Sequence, residues 1–166
     1  MILANLNLST LVRLEEAARA APNFASLRQI IVEITRELVN YQYAALFGIE
    51  AANRPRLVAL SKGPVFDGPG RLSDTLTAHF LRSSMPITGT STLIDGSSVA
   101  ETLTSIIALP LDRRDGRPMA ILWLCRFASW TQDERQMLDR LAGAYALALA
   151  ALPADARSFL DRILGR

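Results

Sequence analysis

Cysteine, histidine and lysine each occur once in this 166-residue chain, as Cys125, His79 and Lys62. A lone cysteine excludes an intrachain disulfide, a thiolate metal site and a resolving thiol. A lone histidine cannot assemble a zinc site, which draws on several His or Cys ligands. Long hydrophobic runs are missing too. The longest apolar stretch, residues 141–154, follows Arg140 and contains Gly143 and Pro153. It falls short of the roughly 18–20 residues of a membrane span. The opening residues carry no basic n-region and are interrupted by Asn5 and Asn7, so no signal peptide is expected and the expected location is cytoplasmic. Charge of one sign barely dominates: 18 basic against 16 acidic residues leave +2. All but one of the cations are Arg, and they are scattered along the chain, which is not the basic stripe that nucleic acid requires. Neither nucleic acid nor a membrane surface is expected as a partner. The near-absence of lysine points to a GC-rich bacterial genome.

What remains is apolar bulk. Half of the residues are hydrophobic and 20% are charged, enough to fill the core of one domain. Ser9 or Thr10 is positioned to cap a first helix over residues 11–20, which Pro22 and Asn23 end. Leu27, Ile30, Ile31, Ile34 and Leu38 recur at helical spacing and predict a second helix. The period then changes to two. Residues 43–50 and 56–62 are short apolar strands joined by a turn-forming link, and residues 105–113 and 117–126 flank Asp115-Gly116, a hairpin-turn pair. Between the hairpins, residues 63–104 are rich in Gly, Pro, Ser and Thr, with a short helix predicted up to Arg82. Thr131 and Glu134 form a capping box that opens a long helix over residues 132–152. Its core stripe is Leu138, Leu141, Ala142, Tyr145, Leu149 and Leu152, beside a second apolar stripe of Met137, Ala144, Leu147 and Ala151. Phe159, Leu160, Ile163 and Leu164 form a last amphipathic turn. The order predicts an α+β fold with an antiparallel sheet.

Strand residues alternate sides, so the two faces of that sheet can be written down. Ala44, Leu46, Ile107, Leu109, Leu111, Ala120, Leu122 and Leu124 make one face small and aliphatic, suited to helices. Tyr43, Phe47, Pro110, Met119, Trp123 and Cys125, with Ala45, Ile49, Ile106, Ala108 and Ile121, make the other aromatic and sulfur-bearing. That second face is left for the loop-rich middle, and an aromatic floor beneath an irregular lid is the usual construction of a small-ligand pocket. Plain core packing accounts for the same residues taken singly.

From residue 23 to residue 152 the chain resembles a GAF domain. The resemblance rests on the amphipathic second helix, on YAALFGIEAANRPRLVAL, and on SIIALPLDRRDGRPMAILWLCRFASWTQDERQMLDRLAGAYALALA with its Phe127-x-x-x-Thr131-x-x-Glu134 helix start. Ala120 stands where the family usually has Gly. The resemblance implies a PAS- or profilin-like central antiparallel sheet, with N- and C-terminal helices on one face and a ligand lid on the other. Residues 1–22 then form an N-terminal dimer or linker helix, and 153–166 a short helix or linker. It also implies a sensor of a small molecule that homodimerises through its terminal helices. Where the chain is a piece of a longer protein, it implies an output domain of kinase or cyclase type. The alternative within the family is a ligand-free dimerisation module.

Candidate binding residues follow from the aromatic face: Phe47, Ala108, Pro110, Trp123 and Cys125. His79, on the predicted short helix, and Arg82, at its end, are the polar additions, with Arg71, Asp95 and the neighbouring hydroxyls around them. One imidazole suffices for a haem ligand, although no motif around His79 supports that role, and no cofactor is specified. Cys125 reads as a buried small hydrophobe. The family's bilin-binding members carry their cysteine in the middle segment, where this chain has none, and its reductases need cysteines that exchange. The Asn-Lys and Asp-Glu signature of the cyclic-nucleotide binders is absent. No Ser-His-Asp set, carboxylate pair, phosphate loop or metal-ligand pattern occurs, so no enzymatic activity is expected.

Overall fold

The computed structural model describes residues 2–49, 55–61, 71–72, 87–89, 94–95, 105–112 and 118–153. Helix α1 spans Ile2–Ala20 and α2 spans Phe24–Val32, followed by a 3-10 turn, Ile34–Glu37. The strands are β1 (Tyr43–Ile49), β2 (Pro55–Leu60), β3 (Arg71–Leu72), β4 (Ile87–Gly89), β5 (Ile94–Asp95), β6 (Ser105–Asp112) and β7 (Pro118–Arg126). Helix α3, Gln132–Ala151, closes the described part. None of the described helices is long and apolar enough to cross a membrane.

Helix α1 begins well before the cap expected at Ser9 or Thr10, both of which lie inside it. The residues ahead of them include Leu3, Ala4, Leu6 and Leu8, strong helix formers, and the two Asn cost only a few tenths of a kcal/mol each, about the spread among ordinary residues. Pro22 and Asn23 lie between α1 and α2, as the end of the first helix requires, and Asn23 also caps α2, its side chain accepting from the Ser26 amide at 2.9 Å. It buries Phe24, Leu27, Ile31 and Val32. At its end Thr35 Oγ1 donates to the Ile31 carbonyl at 2.9 Å, offering the backbone a partner as the α-helix gives way to the 3-10 turn.

The described strands form a five-stranded sheet in the order β2-β1-β7-β6-β4 and a separate pair, β3-β5. Every neighbouring pair is antiparallel. The two hairpins thus lie side by side, joined along β1 and β7. Alternation holds along β1 and β6 and along β7 from Ala120 onward. Ala44, Leu46, Ile107, Leu109, Leu111, Ala120, Leu122 and Leu124 share one buried cluster with the helices. Ala45, Phe47, Ile49, Ile106, Ala108, Ile121, Trp123 and Cys125 form a second cluster on the opposite face.

Met119 departs from this pattern. Strand alternation assigns it to the aromatic face, yet it packs against the helix-side cluster. Leu111 lies opposite Ala120 while Asp112 lies opposite Pro118, so Met119 has no counterpart on β6. It is the extra residue of a bulge, which breaks the period of two and turns its side chain to the other face.

Helix α3 opens with the expected capping box, in which Thr131 accepts from the Glu134 amide and Glu134 accepts from the Thr131 amide. Its predicted core stripe is buried throughout, from Leu138 to Leu152. The second apolar stripe is divided. Met137 packs on the core and Ala144 is half-buried, whereas Ala151 is exposed and Leu147 is 59% exposed. Helix α1 packs along α3, and Arg140 grips the Glu15 carboxylate with two N–H groups at 2.7 and 3.0 Å.

Two polar features tie the elements of the core together. Tyr145 OH and Thr35 Oγ1 are 2.6 Å apart in the interior, and Tyr41 OH donates to the Val32 carbonyl at 2.8 Å. Burial raises both phenols above their ordinary range, so both stay protonated. Arg126, at the end of β7, is only 7% exposed. Its guanidinium makes five hydrogen bonds, to the carbonyls of Asn40, Ala128 and Ser129 and to both oxygens of Glu134. It also lies 3.9 Å above the Trp130 ring.

Candidate functional site

Five of the seven predicted binding residues come together on one face of the sheet. Trp123 stands at its centre on β7, with Ala45 of β1 and Ala108 of β6 directly opposite on either side. Phe47 and Pro110 flank Ile121 one step along, and Cys125 lies one step in the other direction between Tyr43 and Ile106. Phe47, Ala108 and Cys125 are 0% exposed and Trp123 is 1% exposed, while Pro110 is buried within β6. His79 and Arg82 lie outside the described residues, as does most of the segment from 62 to 104 expected to form the lid.

The apolar cluster on this face contains no residue of a described helix. All three described helices belong to the opposite layer. The chemistry of the face is correspondingly plain. Burial pushes the Cys125 thiol up to about 12, so it carries no thiolate near neutrality and is no nucleophile. Among the described residues no group of three or more His, Cys, Asp or Glu is placed to hold a metal ion.

One polar atom on this face was not anticipated from the sequence. The Trp123 indole nitrogen is buried and has no hydrogen-bond partner among the described residues. An unsatisfied buried donor costs about 1–3 kcal/mol, and buried tryptophans ordinarily find a partner. The pairing of Trp123 with Ala45 and Ala108, which supply no acceptor, is set by the register between strands and is not readable from the sequence. Trp130 Nε1 shares this status, but on the helix side, where its ring is covered by Arg126.

A separate cleft of about 650 Å³ lies between α2 and edge strand β2, lined by Ala25, Arg28, Gln29, Val32 and Glu33 on one side and residues 57–60 on the other. It involves none of the predicted binding residues.

No protein-family model matches the sequence, and no curated protein does. Solved structures do match in three dimensions. The GAF domain of an Acinetobacter phosphoenolpyruvate-protein phosphotransferase superposes with a TM-score of 0.70 at 15% identity, covering 88% of this chain and 93% of that one. The GAF domain of the corresponding Coxiella burnetii phosphotransferase gives 0.67 at 17% identity, over 94% and 97%. The nlh2 GAF domain of A. aeolicus in an inactive state gives 0.66 at 11%, over 89% and 98%. The fold of this chain is therefore that of a GAF domain.

Proposed function

We propose that this chain is a sensor module that binds a small molecule on the aromatic face of the sheet and signals as a homodimer through its terminal helices. It carries out no reaction of its own. The observation that carries this reading is the asymmetry of the two faces. The described helices all pack on the aliphatic side, and the opposite side holds an aromatic cluster with an unsatisfied indole donor at its centre. The GAF fold is consistent with a regulatory role, and the exposed Leu8, Val12 and Leu147 on α1 and α3 are consistent with a partner on the helical layer.

A second reading, a ligand-free dimerisation module, draws on the near-complete burial of Phe47 and Trp123, as in ordinary core. Native mass spectrometry of the purified chain, beside its denatured mass, separates the two. A dimer carrying additional non-covalent mass that Trp123→Ala abolishes supports the sensor. A dimer of bare chains supports the dimerisation module, and a bare monomer overturns both.

A further inference from the structure

We infer that the molecule bound on the aromatic face presents a hydrogen-bond acceptor, a carbonyl oxygen or an unprotonated ring nitrogen on a flat neutral scaffold, to Nε1 of Trp123. The inference rests on the reading of that face as a ligand site and adds the chemistry of what it selects. Trp123 is 1% exposed and its Nε1 has no partner among the described residues. The side chains at the same register cannot accept from it. Those are Ala45 and Ala108, on either side across the ladder. A donor without an acceptor among the described residues discriminates between ligands: one that presents an acceptor gains a bond, and one without it gains none.

The neighbours settle the rest of the ligand's character. Ile106, Phe47, Ile121 and Cys125 surround the central row, and none of them carries a charge, since burial keeps the Cys125 thiol protonated. None of these described neighbours offers an ionised group a counter-charge, and desolvating such a group without one is costly. The two alanines add only a methyl beside the indole in either neighbouring strand, so no bulky side chain at its register competes with a planar ring for the indole.

Quinoline and naphthalene test this directly, because they share shape and differ in one ring nitrogen against one C–H. They would be titrated at neutral pH into the full chain with ¹⁵N-labelled tryptophan, reading both indole N–H signals by NMR. Trp130, on the opposite face, is the internal control. The expected result is a downfield shift of the Trp123 signal with quinoline alone, an unmoved Trp130 signal, and quinoline bound about fivefold more tightly than naphthalene, as one neutral hydrogen bond gives. Trp123→Phe, which keeps an aromatic ring and removes the donor, should abolish that preference. The wild-type shift stands as a readout even where this variant folds poorly. If both probes perturb the face equally and bind alike, the acceptor inference is overturned while the ligand site stands. If neither probe moves Trp123 up to its solubility limit, the face is closed core, and both the inference and the site reading fall.

Discussion

Arg126 and Glu134 are joined through both guanidinium termini and both carboxylate oxygens, the Nη1–Oε1 contact at 2.8 Å. The same carboxylate caps α3 by accepting from the Thr131 amide at 2.9 Å. One acidic residue thereby ties the last strand to the last helix and opens that helix. Its carboxyl is held below the ordinary Glu range, first by the hydrogen bonds from Arg126 and then by those from Thr131, against an opposing effect of burial.

Arg126→Lys keeps the charge but cannot reach five acceptors spread over the Asn40, Ala128, Ser129 and Glu134 positions. Breaking one partner of a fully buried pair costs about 3–5 kcal/mol; Glu134 is only partly buried and lysine retains part of the network, so the loss should fall below that range. The midpoint of urea unfolding, at unchanged slope, measures it.

The pH dependence follows from the direction of the Glu134 shift. Folded Glu134 gives up its proton more readily than the unfolded residue, so its contribution is complete above the unfolded value of about 4.3. It is lost as pH falls through the lower folded value. Stability measured from pH 6 downward should decline below about 4, and Glu134→Gln should flatten that limb. An acid limb identical in wild type and variant would show that other carboxylates govern it.

Thr35→Val should be more damaging than Tyr145→Phe, although both remove the same 2.6 Å contact. Without its hydroxyl, Thr35 leaves both Tyr145 OH and the Ile31 carbonyl without their partner, about 1–3 kcal/mol. Without the phenol oxygen, Thr35 still donates to Ile31, and the loss should be about 0.5–1.5 kcal/mol. Chemical denaturation of the two single variants and the double variant resolves the order.

Cys125 should resist iodoacetamide in the folded chain and react on unfolding. Its thiol is raised by burial to about 12, so the folded state holds the proton more tightly than the unfolded thiol, near 8.5. That stabilisation is complete below about 8.5 and diminishes as pH climbs towards the folded value. Alkylation that tracks the unfolding transition is the expected outcome, and rapid labelling under native conditions would contradict the placement of Cys125.

Leu8→Glu and Leu147→Glu alter side chains that are 52% and 59% exposed, so each should change the folding free energy by no more than about 0.5 kcal/mol. If α1 and α3 form the dimer surface, sedimentation should shift from dimer to monomer with the fold intact. A variant that sediments as the wild type places the contact elsewhere.

The hairpins, the two faces and the capping box were legible because each depends on neighbours in sequence. Ala44 and Ala45 point to opposite faces for no reason beyond the strand period, and Thr131 with Glu134 announces a helix start by spacing alone. Met119 was misassigned because a bulge is set by pairing with a distant strand, which one segment does not reveal. The Arg126 network was invisible for the same reason: one of its carbonyl acceptors, Asn40, lies 86 residues away. The floor of the candidate site could be read from alternation, whereas the missing acceptor of Trp123 became apparent only once Ala45 and Ala108 were seen at its register. His79 and Arg82 sit in a stretch whose composition has no period to extrapolate from.

Strand β7 is a diaphragm one backbone thick. Trp123 stands on one side of it, while Leu122 and Leu124, its immediate neighbours, stand on the other in the same cluster as Leu141 and Tyr145 of α3. Trp123 and these leucines share one backbone, so a ligand that displaced the indole would act on residues adjacent in sequence to the floor of the helical layer. No chain of side chains has to carry that effect around the edge of the sheet. The Arg126 network holds one end of β7, the strand through which any such displacement would pass.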